Sequence, residues 1–228
     1  MAADDSLWWM LWHWLPSLGR GFSLNIAMGL LAMAVATLGG ALLGLAKVLA
    51  PPAMARLAGR VGRSLRNLPW LVVMFYVAYL LPYEVQVAGH WLQLPDWLKV
   101  ALGLALPASG YVAEMLRGAL QAVPNGQWEA AQALGLSRWQ ALRWVILPQS
   151  LRSLLPPWMN LFCTLCMSTS LGSLLGVEEL MTVLQSHLSG QLRPDVLLPA
   201  YALAFAAFFV FVYPLARWAR HLELRWSH

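Results

Sequence analysis

The sequence has very little charge for its length. Only 11% of its 228 residues are Asp, Glu, Lys or Arg, whereas soluble domains carry about a quarter. Hydrophobic residues make up 60% of the chain. A soluble domain of this size still exposes much of its surface, so this much apolar side chain cannot fit into one core. The composition therefore predicts an integral membrane protein whose apolar surface is covered by lipid.

The sequence also has few residues that could carry out chemistry. Its two cysteines, Cys163 and Cys166, lie in one apolar run, and no other Cys or His stands at metal-ligand spacing, so we expect no metal site. A membrane thiol oxidoreductase is an alternative for this Cys-x-x-Cys pair, but an apolar setting disfavours the reactive thiolate. The phosphate-binding pattern Gly-x-x-x-x-Gly-Lys-Ser/Thr is absent, so the chain is not expected to bind ATP itself.

Five apolar segments predict a single all-α transmembrane domain over residues 1–228. A spanning helix needs about 20 mostly apolar residues. The second segment is extended backward by an amphipathic stretch from Met54. Residues 1–20 contain four tryptophans within Ser6–Leu15, a stretch too short to add a span, so we expect a helix in the outer interface here. The five predicted spans are residues 22–46, 68–81, 97–120, 154–175 and 196–218.

The distribution of basic residues predicts the topology. Twelve of the 15 Lys and Arg lie at the ends of spans one, three and five or in the segments that follow, and they therefore indicate the cytoplasmic side. The other side holds Arg20, Lys99 and Arg193 with seven of the ten acids, including Asp4 and Asp5. These two acids stand where a signal peptide would be basic, so we expect no signal peptide. The prediction is a periplasmic N-terminus and a cytoplasmic C-terminus. The net charge of +5 is explained by basic residues that face membrane lipid, and no binding to nucleic acid is expected.

The cytoplasmic loop, residues 121–148, predicts two short helices joined by a rigid bend. The first, residues 127–134, ends at Gly135, a typical C-terminal glycine. Ser137 begins the second with Gln140 three residues on, which is a capping-box pattern. Pro148 is expected to end it, and Trp139, Leu142 and either Val145 or Ile146 to share one apolar side. Such an element either docks on another protein or packs against the spans of its own chain.

This loop resembles the EAA motif of ABC importer permeases. The resemblance rests on Glu129-Ala130-Ala131, Gly135 and Val145-Ile146-Leu147-Pro148, where Val145 replaces the usual Ile. At four further places the chain resembles the polar amino acid permeases of the histidine, arginine and glutamine type. These are Tyr111-Val112-Ala113-Glu114-Met115-Leu116-Arg117-Gly118, Pro124-Asn125-Gly126-Gln127-Trp128, Ser168-Thr169-Ser170-Leu171 and Gly176-Val177-Glu178-Glu179-Leu180.

The resemblance implies a type I ABC importer permease fold with five spans and a cytoplasmic coupling helix. It implies a cytoplasmic ATPase dimer that binds ATP and Mg, a second permease subunit and a periplasmic substrate-binding protein, with no cofactor on this chain. An importer of another small solute and a passive channel remain alternatives. The residues expected to couple to the ATPase are Glu129, Ala130, Ala131, Gly135, Leu136, Ser137 and Arg138.

Polar residues inside the predicted spans are candidates for the substrate pathway, because such residues are costly in lipid and commonly line cavities. Each has an alternative role: Glu114 can pair with Arg117 one turn away, and hydroxyl groups can bond back to their own helix. The candidates are Ser109, Tyr111, Glu114, Ser168, Thr169 and Ser170.

Three departures from the family pattern suggest that this chain contributes little to substrate binding. Met167 and Ser168 replace a Lys-Asp pair, Val73 replaces a Gln, and Ala108 replaces an Asn. An amino acid zwitterion needs partners for its charges at low dielectric, and few remain here. The sequence therefore predicts the weaker-binding or non-binding half of a heterodimeric pore.

Overall fold

The computed structural model describes residues 7–87, 89–190 and 194–226, which are almost entirely helical. Asp4, Asp5 and Arg193, which the topology prediction uses, lie outside the described residues. A β-hairpin that the sequence did not predict follows α3, with Glu84 paired to Gln93. In chain order the elements are α1 (Leu7–Leu49), α2 (Pro52–Asn67), α3 (Trp70–Leu80), β1 (Glu84–Val87), β2 (His90–Gln93), α4 (Asp96–Gln121), α5 (Asn125–Ala133), α6 (Arg138–Ala141), a π-helical turn (Leu142–Ile146), α7 (Leu147–Ser168), a 3₁₀ segment (Thr169–Leu175), α8 (Leu180–Ser189), a 3₁₀ turn (Pro194–Val196) and α9 (Leu197–Trp226).

The first helix is longer than expected. Residues 7–20 are helical, but they continue through Pro16 into the first predicted span as one helix of 43 residues. Residues 7–20 are therefore part of α1 and not a separate helix, while their position in the outer interface stays a prediction. The reason is packing: Leu11, Trp14 and Leu18 keep the helical spacing on either side of Pro16 and are buried against α8 and α9.

The helix α4 lies at the centre of the fold, packed against α1, α2, α3 and α7. Its Val100, Leu104 and Ala108 are fully buried. Contact with α1 is close enough to require glycine: a Cβ on Gly40 would lie 2.5 Å from Val112 Cβ and 2.7 Å from the Ser109 carbonyl oxygen. Small residues of this kind allow helix backbones to approach closely in membrane proteins.

The second predicted span, residues 68–81, is separated from the amphipathic stretch that was expected to extend it backward. Pro69 lacks a donor N–H and restricts Leu68 to extended backbone, so the amphipathic helix α2 ends at Asn67 and α3 starts at Trp70. The two are therefore separate helices rather than one extended span.

A buried Lys99 joins the start of α4 to the preceding loop, with its Nζ 3.0 Å from Asp96 Oδ1 and 3.8 Å from the centre of the Tyr83 ring.

Among the described residues, three helical stretches are long and apolar enough to cross a membrane. They are Leu7–Leu49, Arg138–Leu175 and Pro194–Trp226. The apolar α3 has only 11 residues, and α4 has 26 but carries charge near both ends. Helices are present at all five predicted spans, while the count of five crossings stays a prediction.

Candidate functional site

The bend in the loop forms as local sequence chemistry predicts. The first helix, α5, begins two residues earlier than expected and ends at Ala133, and Gly135 has a left-handed φ of +76°. The capping box is complete: Gln140 N donates to Ser137 Oγ at 3.3 Å, and Ser137 N donates to Gln140 Oε1 at 2.8 Å. The predicted stop at Gly135 and restart at Ser137 are confirmed.

Pro148 does not end the second helix, contrary to prediction. The chain forms a π-helical turn at Leu142–Ile146, in which Leu147 N donates to the Leu142 carbonyl, and Pro148 follows at the start of α7. A π turn is wider than an α turn, so it accommodates a proline ring that would clash in a regular helix. The bend is therefore continuous with α7, and no flexible loop separates them.

One side of the bend is anchored to the rest of the chain. Leu142 and Ile146 are buried against Leu116 and Leu120 of α4 and against Val123. Burying such side chains stabilises the contact by about 1.5–3 kcal/mol each. For this part of the bend, the contact agrees with the alternative that the loop packs against the spans of its own chain.

The other side is open. Leu134 is 80% exposed and Trp139 is 52% exposed, so Trp139 does not share the buried side of Leu142 as predicted. Trp144 is exposed as well. Of the seven predicted coupling residues, Ala131 is buried and Leu136 is partly buried, while the exposed ones are Glu129, Ala130, Gly135, Ser137 and Arg138. An apolar patch of this kind beside polar residues is typical of a protein contact.

Glu114 belongs to an ion network that the sequence only partly predicted. Its Oε1 accepts from Arg117 Nε at 2.9 Å, as expected for a pair one turn apart. Its Oε2 accepts from Lys47 Nζ at 3.2 Å, and the Lys47 side chain is only 8% exposed. The carboxylate thus connects α1 to α4, which favours a structural pair over a gate. Sequence reasoning missed Lys47 because it lies 67 residues away.

Thr169 lies in a buried polar cluster and not on an accessible pathway. Asn25 Nδ2 donates to Thr169 Oγ1 at 3.0 Å and to Glu179 Oε2 at 2.8 Å. Asn25 Oδ1 accepts from Leu180 N at 3.1 Å. Asn25, Thr169 and Glu179 are fully buried. The cluster ties α1, the 3₁₀ segment and the start of α8 together.

The remaining pathway candidates are not brought to one place. Ser109 is buried and donates to the Ala105 carbonyl at 2.8 Å, and the Tyr111 ring centre lies 5.9 Å from that of Trp70. Glu114 and Ser170 line different cavities. The hydroxyl groups of Ser168 and Ser170 donate to carbonyls of their own turn, as the alternative held.

A polar stripe on α7 was missed by sequence reasoning. Asn160, Thr164 and Ser168 are spaced four residues apart on one helix face; the first two are exposed and the third is half-buried. Polar residues on an open face of an apolar helix are expensive in lipid, so the stripe is expected to face water or another subunit. The four-residue spacing was the signal that could have revealed it.

The two cysteines have a packing role. Both are free thiols and buried, and Cys166 Sγ lies 2.6 Å from the position a Cβ on Gly29 would take. Cys166 fills the contact between α7 and α1 at this point. In the described part of the chain, no group of three His, Cys, Asp or Glu side chains could hold a metal ion.

With this geometry in place, comparison with known proteins defines the class. Residues 36–228 match the family described as binding-protein-dependent transport system inner membrane component. The chain belongs to this family and is an integral protein of the inner membrane. It is a transport component and not an enzyme, since its relatives are named as permease or transport subunits, and the thiol oxidoreductase alternative has no support among them.

Several relatives are named for amino acids. The probable amino-acid permease protein YxeN of Bacillus subtilis is 33% identical, over 78% of this chain and 78% of its own. The glutamine transport system permease protein GlnP of Escherichia coli is 30% identical, over 82% and 83%. The inner membrane amino-acid ABC transporter permease protein YhdY of Escherichia coli is 28% identical over 97% of this chain, which spans 61% of its length.

Solved structures show the same fold. The crystal structure of an amino acid ABC transporter with histidines matches with a TM-score of 0.78 and 24% identity, covering 94% of this chain and 96% of that one. The inward-facing MetNI methionine ABC transporter matches with a TM-score of 0.67 and 17% identity, covering 97% and 99%. These likenesses confirm the predicted type I ABC importer permease fold.

Proposed function

We propose that the chain is the channel-forming subunit of an ABC importer for polar amino acids or amino-acid-like compounds. The observation that carries this proposal is the bend at Gly135, which is anchored on one side and open on the other. The bend fits a cleft in a cytoplasmic ATPase, which binds ATP and Mg, while a periplasmic binding protein delivers cargo. The names of the relatives support the choice of amino acids. In this arrangement the N-terminus is periplasmic and the C-terminus cytoplasmic.

Two connections make the bend suitable for passing ATPase motion into the membrane. Leu142 and Ile146 are packed against α4, so a displacement of the bend moves the central helix. The π turn joins the bend directly to α7 without a loop that would absorb the motion. Closely packed interiors transmit such displacements because they compress little. The two helices together carry the motion to α1, against which both pack.

Substrate contacts come mainly from a second permease subunit. The polar stripe of Asn160, Thr164 and Ser168 carries no charge, and Thr169 is fully buried in the Asn25 cluster. Val73, in place of a Gln, is buried too. A zwitterionic cargo therefore meets few partners on this chain, which supports a heterodimeric pore in which the other half holds the cargo.

Introducing a carboxylate on the polar stripe tests whether the second permease subunit makes most of the substrate contacts. We expect Ser168→Asp to leave cargo selectivity unchanged and to change the uptake rate by less than about threefold, since partly exposed substitutions outside a binding site have small effects. Competition by unlabelled amino acids against labelled uptake in proteoliposomes measures this. Ser109→Asp serves as the damaging control because it buries a charge against Gly39. A switch of cargo or loss of uptake in Ser168→Asp alone would refute the heterodimer proposal.

Glu129 is the charged candidate for anchoring the bend to the ATPase. It is exposed on α5, and no ion pair involving it is found among the described residues. We expect Glu129→Gln to lower uptake at least about tenfold, since a hydrogen bond to a charged group contributes about 1.5–3 kcal/mol. ATP-driven uptake in proteoliposomes that contain the ATPase and binding protein provides the measurement.

The matched control is Glu223→Gln, which removes an equally exposed carboxylate on the same predicted side. It should change uptake less than about twofold. Equal losses in the two variants would indicate a general charge effect and contradict the anchoring role. Flux that persists without ATP would favour the passive channel instead and overturn the importer proposal.

A further inference from the structure

A strongly basic cleft, here called the α2 cleft, lies between α1, α2 and α4. Its volume is about 630 Å³. The one carboxylate on its wall is Glu114. Six cationic side chains line it: Lys47, Arg56, Arg60, Arg63, Arg66 and Arg117.

The charges in the α2 cleft are not balanced by the described chain. Lys47 and Arg117 share the carboxylate of Glu114. None of the four α2 arginines forms an ion pair within residues 7–87, 89–190 and 194–226; Arg56 Nε donates only to the Pro52 carbonyl, at 3.2 Å. Arginines three or four residues apart on a helix repel each other. Six cations against one carboxylate leave five positive charges that a bound anion would stabilise.

The cleft is held in place by close backbone contacts. A Cβ on Gly110 of α4 would lie 2.5 Å from Arg66 N and 2.6 Å from the Gly62 carbonyl oxygen, so α2 is seated directly on α4. By contrast, a Cβ on Gly59, which also lines the cleft, would meet no heavy atom within 4 Å. The α2 backbone is thus fixed while space remains beside its arginines.

We propose that the α2 cleft binds a phosphate-bearing anion. Guanidinium groups match phosphate oxygens with paired N–H donors, and Arg is for this reason enriched at phosphate sites. Two sources share this chemistry: the headgroup of an anionic phospholipid and a soluble phosphate compound. The lipid source is favoured by an exposed apolar stripe on the same helix, formed by Met54, Leu57 and Val61. A basic amphipathic helix of this composition is typical of the membrane interface.

The test uses the full-length chain purified with its co-purifying subunits in detergent. Native mass spectrometry measures binding of phosphatidylglycerol against phosphatidylcholine, and inorganic phosphate and glycerol 3-phosphate are added as soluble competitors. We expect the double variant Arg60→Gln with Arg63→Gln to weaken binding of the phosphate compound at least about tenfold. Each basic residue near an anionic lipid surface contributes to the binding free energy, and this variant removes two. Arg60→Lys with Arg63→Lys keeps the charge but loses the paired donors, and it should weaken binding about threefold.

The control pair is Arg217→Gln with Arg220→Gln, which removes two exposed charges from α9 on the same predicted side. It should change binding less than about twofold. Phosphatidylglycerol binding that soluble phosphates do not displace identifies the lipid as the source, and displacement at low concentration identifies a soluble anion. Equal weakening in both double Gln variants, or no binding of any phosphate compound, overturns the proposal.

Discussion

Replacing Asn25 with Val is expected to destabilise the protein by about 3 kcal/mol, because two buried polar groups lose their partner and each costs about 1–3 kcal/mol when unpaired. Glu179 Oε2 would lose its donor, and Leu180 N would lose its acceptor. Thr169 Oγ1 would lose a donor as well, but it keeps its own hydrogen bond to the Cys166 carbonyl. Asn25 links α1 to the start of α8, so its loss loosens the contact between these two helices. Unfolding of the detergent-solubilised protein with increasing denaturant measures the change in free energy.

Asn160→Val is the matched control for this experiment. The substitution is the same, but Asn160 is exposed on α7, so its effect on the free energy of unfolding should stay within about 0.5 kcal/mol. If Asn25→Val lowered the free energy of unfolding as little as Asn160→Val, a structural role for the buried cluster would be contradicted. A second check is Glu179→Leu, which removes the acceptor of Asn25 and Thr182 and should destabilise the protein by a comparable amount.

The parts of the site that the sequence could predict are those governed by neighbouring residues. The stop at Gly135 and the capping box of Ser137 with Gln140 lie within six consecutive residues, and both formed as expected. The pair of Glu114 with Arg117 needs only one helical turn. Local chemistry of this type is insensitive to the rest of the fold.

The parts that failed depend on contacts between distant segments. Pro148 is accommodated by a π turn whose Leu142 and Ile146 are fixed by α4, so a local rule for proline gave the wrong helix end. Lys47 joins Glu114 across 67 residues, and Asn25 joins Glu179 across 154. Periodicity describes which face of a helix is apolar, but not which element covers that face. Five helices were therefore placed correctly while the interior polar partners were missed.

Replacing Gly135 with Val is expected to lower ATP-driven uptake more than about tenfold, because a β-branched residue in a left-handed conformation costs about 1–3 kcal/mol. A Cβ at this position would meet no heavy atom within 4 Å, so backbone strain and not a steric clash is the cause. Relief of that strain would rotate α5 against Ser137 and displace the exposed face from the ATPase, although the core contacts of Leu142 stay intact. Uptake in proteoliposomes, together with co-purification of the ATPase, measures the result.

Gly126→Val supplies the matched comparison, since it also faces open space but lies in α5, outside the positive-φ positions. It should retain most of the uptake. Gly135→Asn should fall between the two, because Asn tolerates the left-handed region better than Val. If Gly135→Val and Gly126→Val had the same effect, the angle of the bend would be irrelevant to coupling. The ordering of the three variants therefore separates a bend that must keep its shape from a loop that only connects two helices.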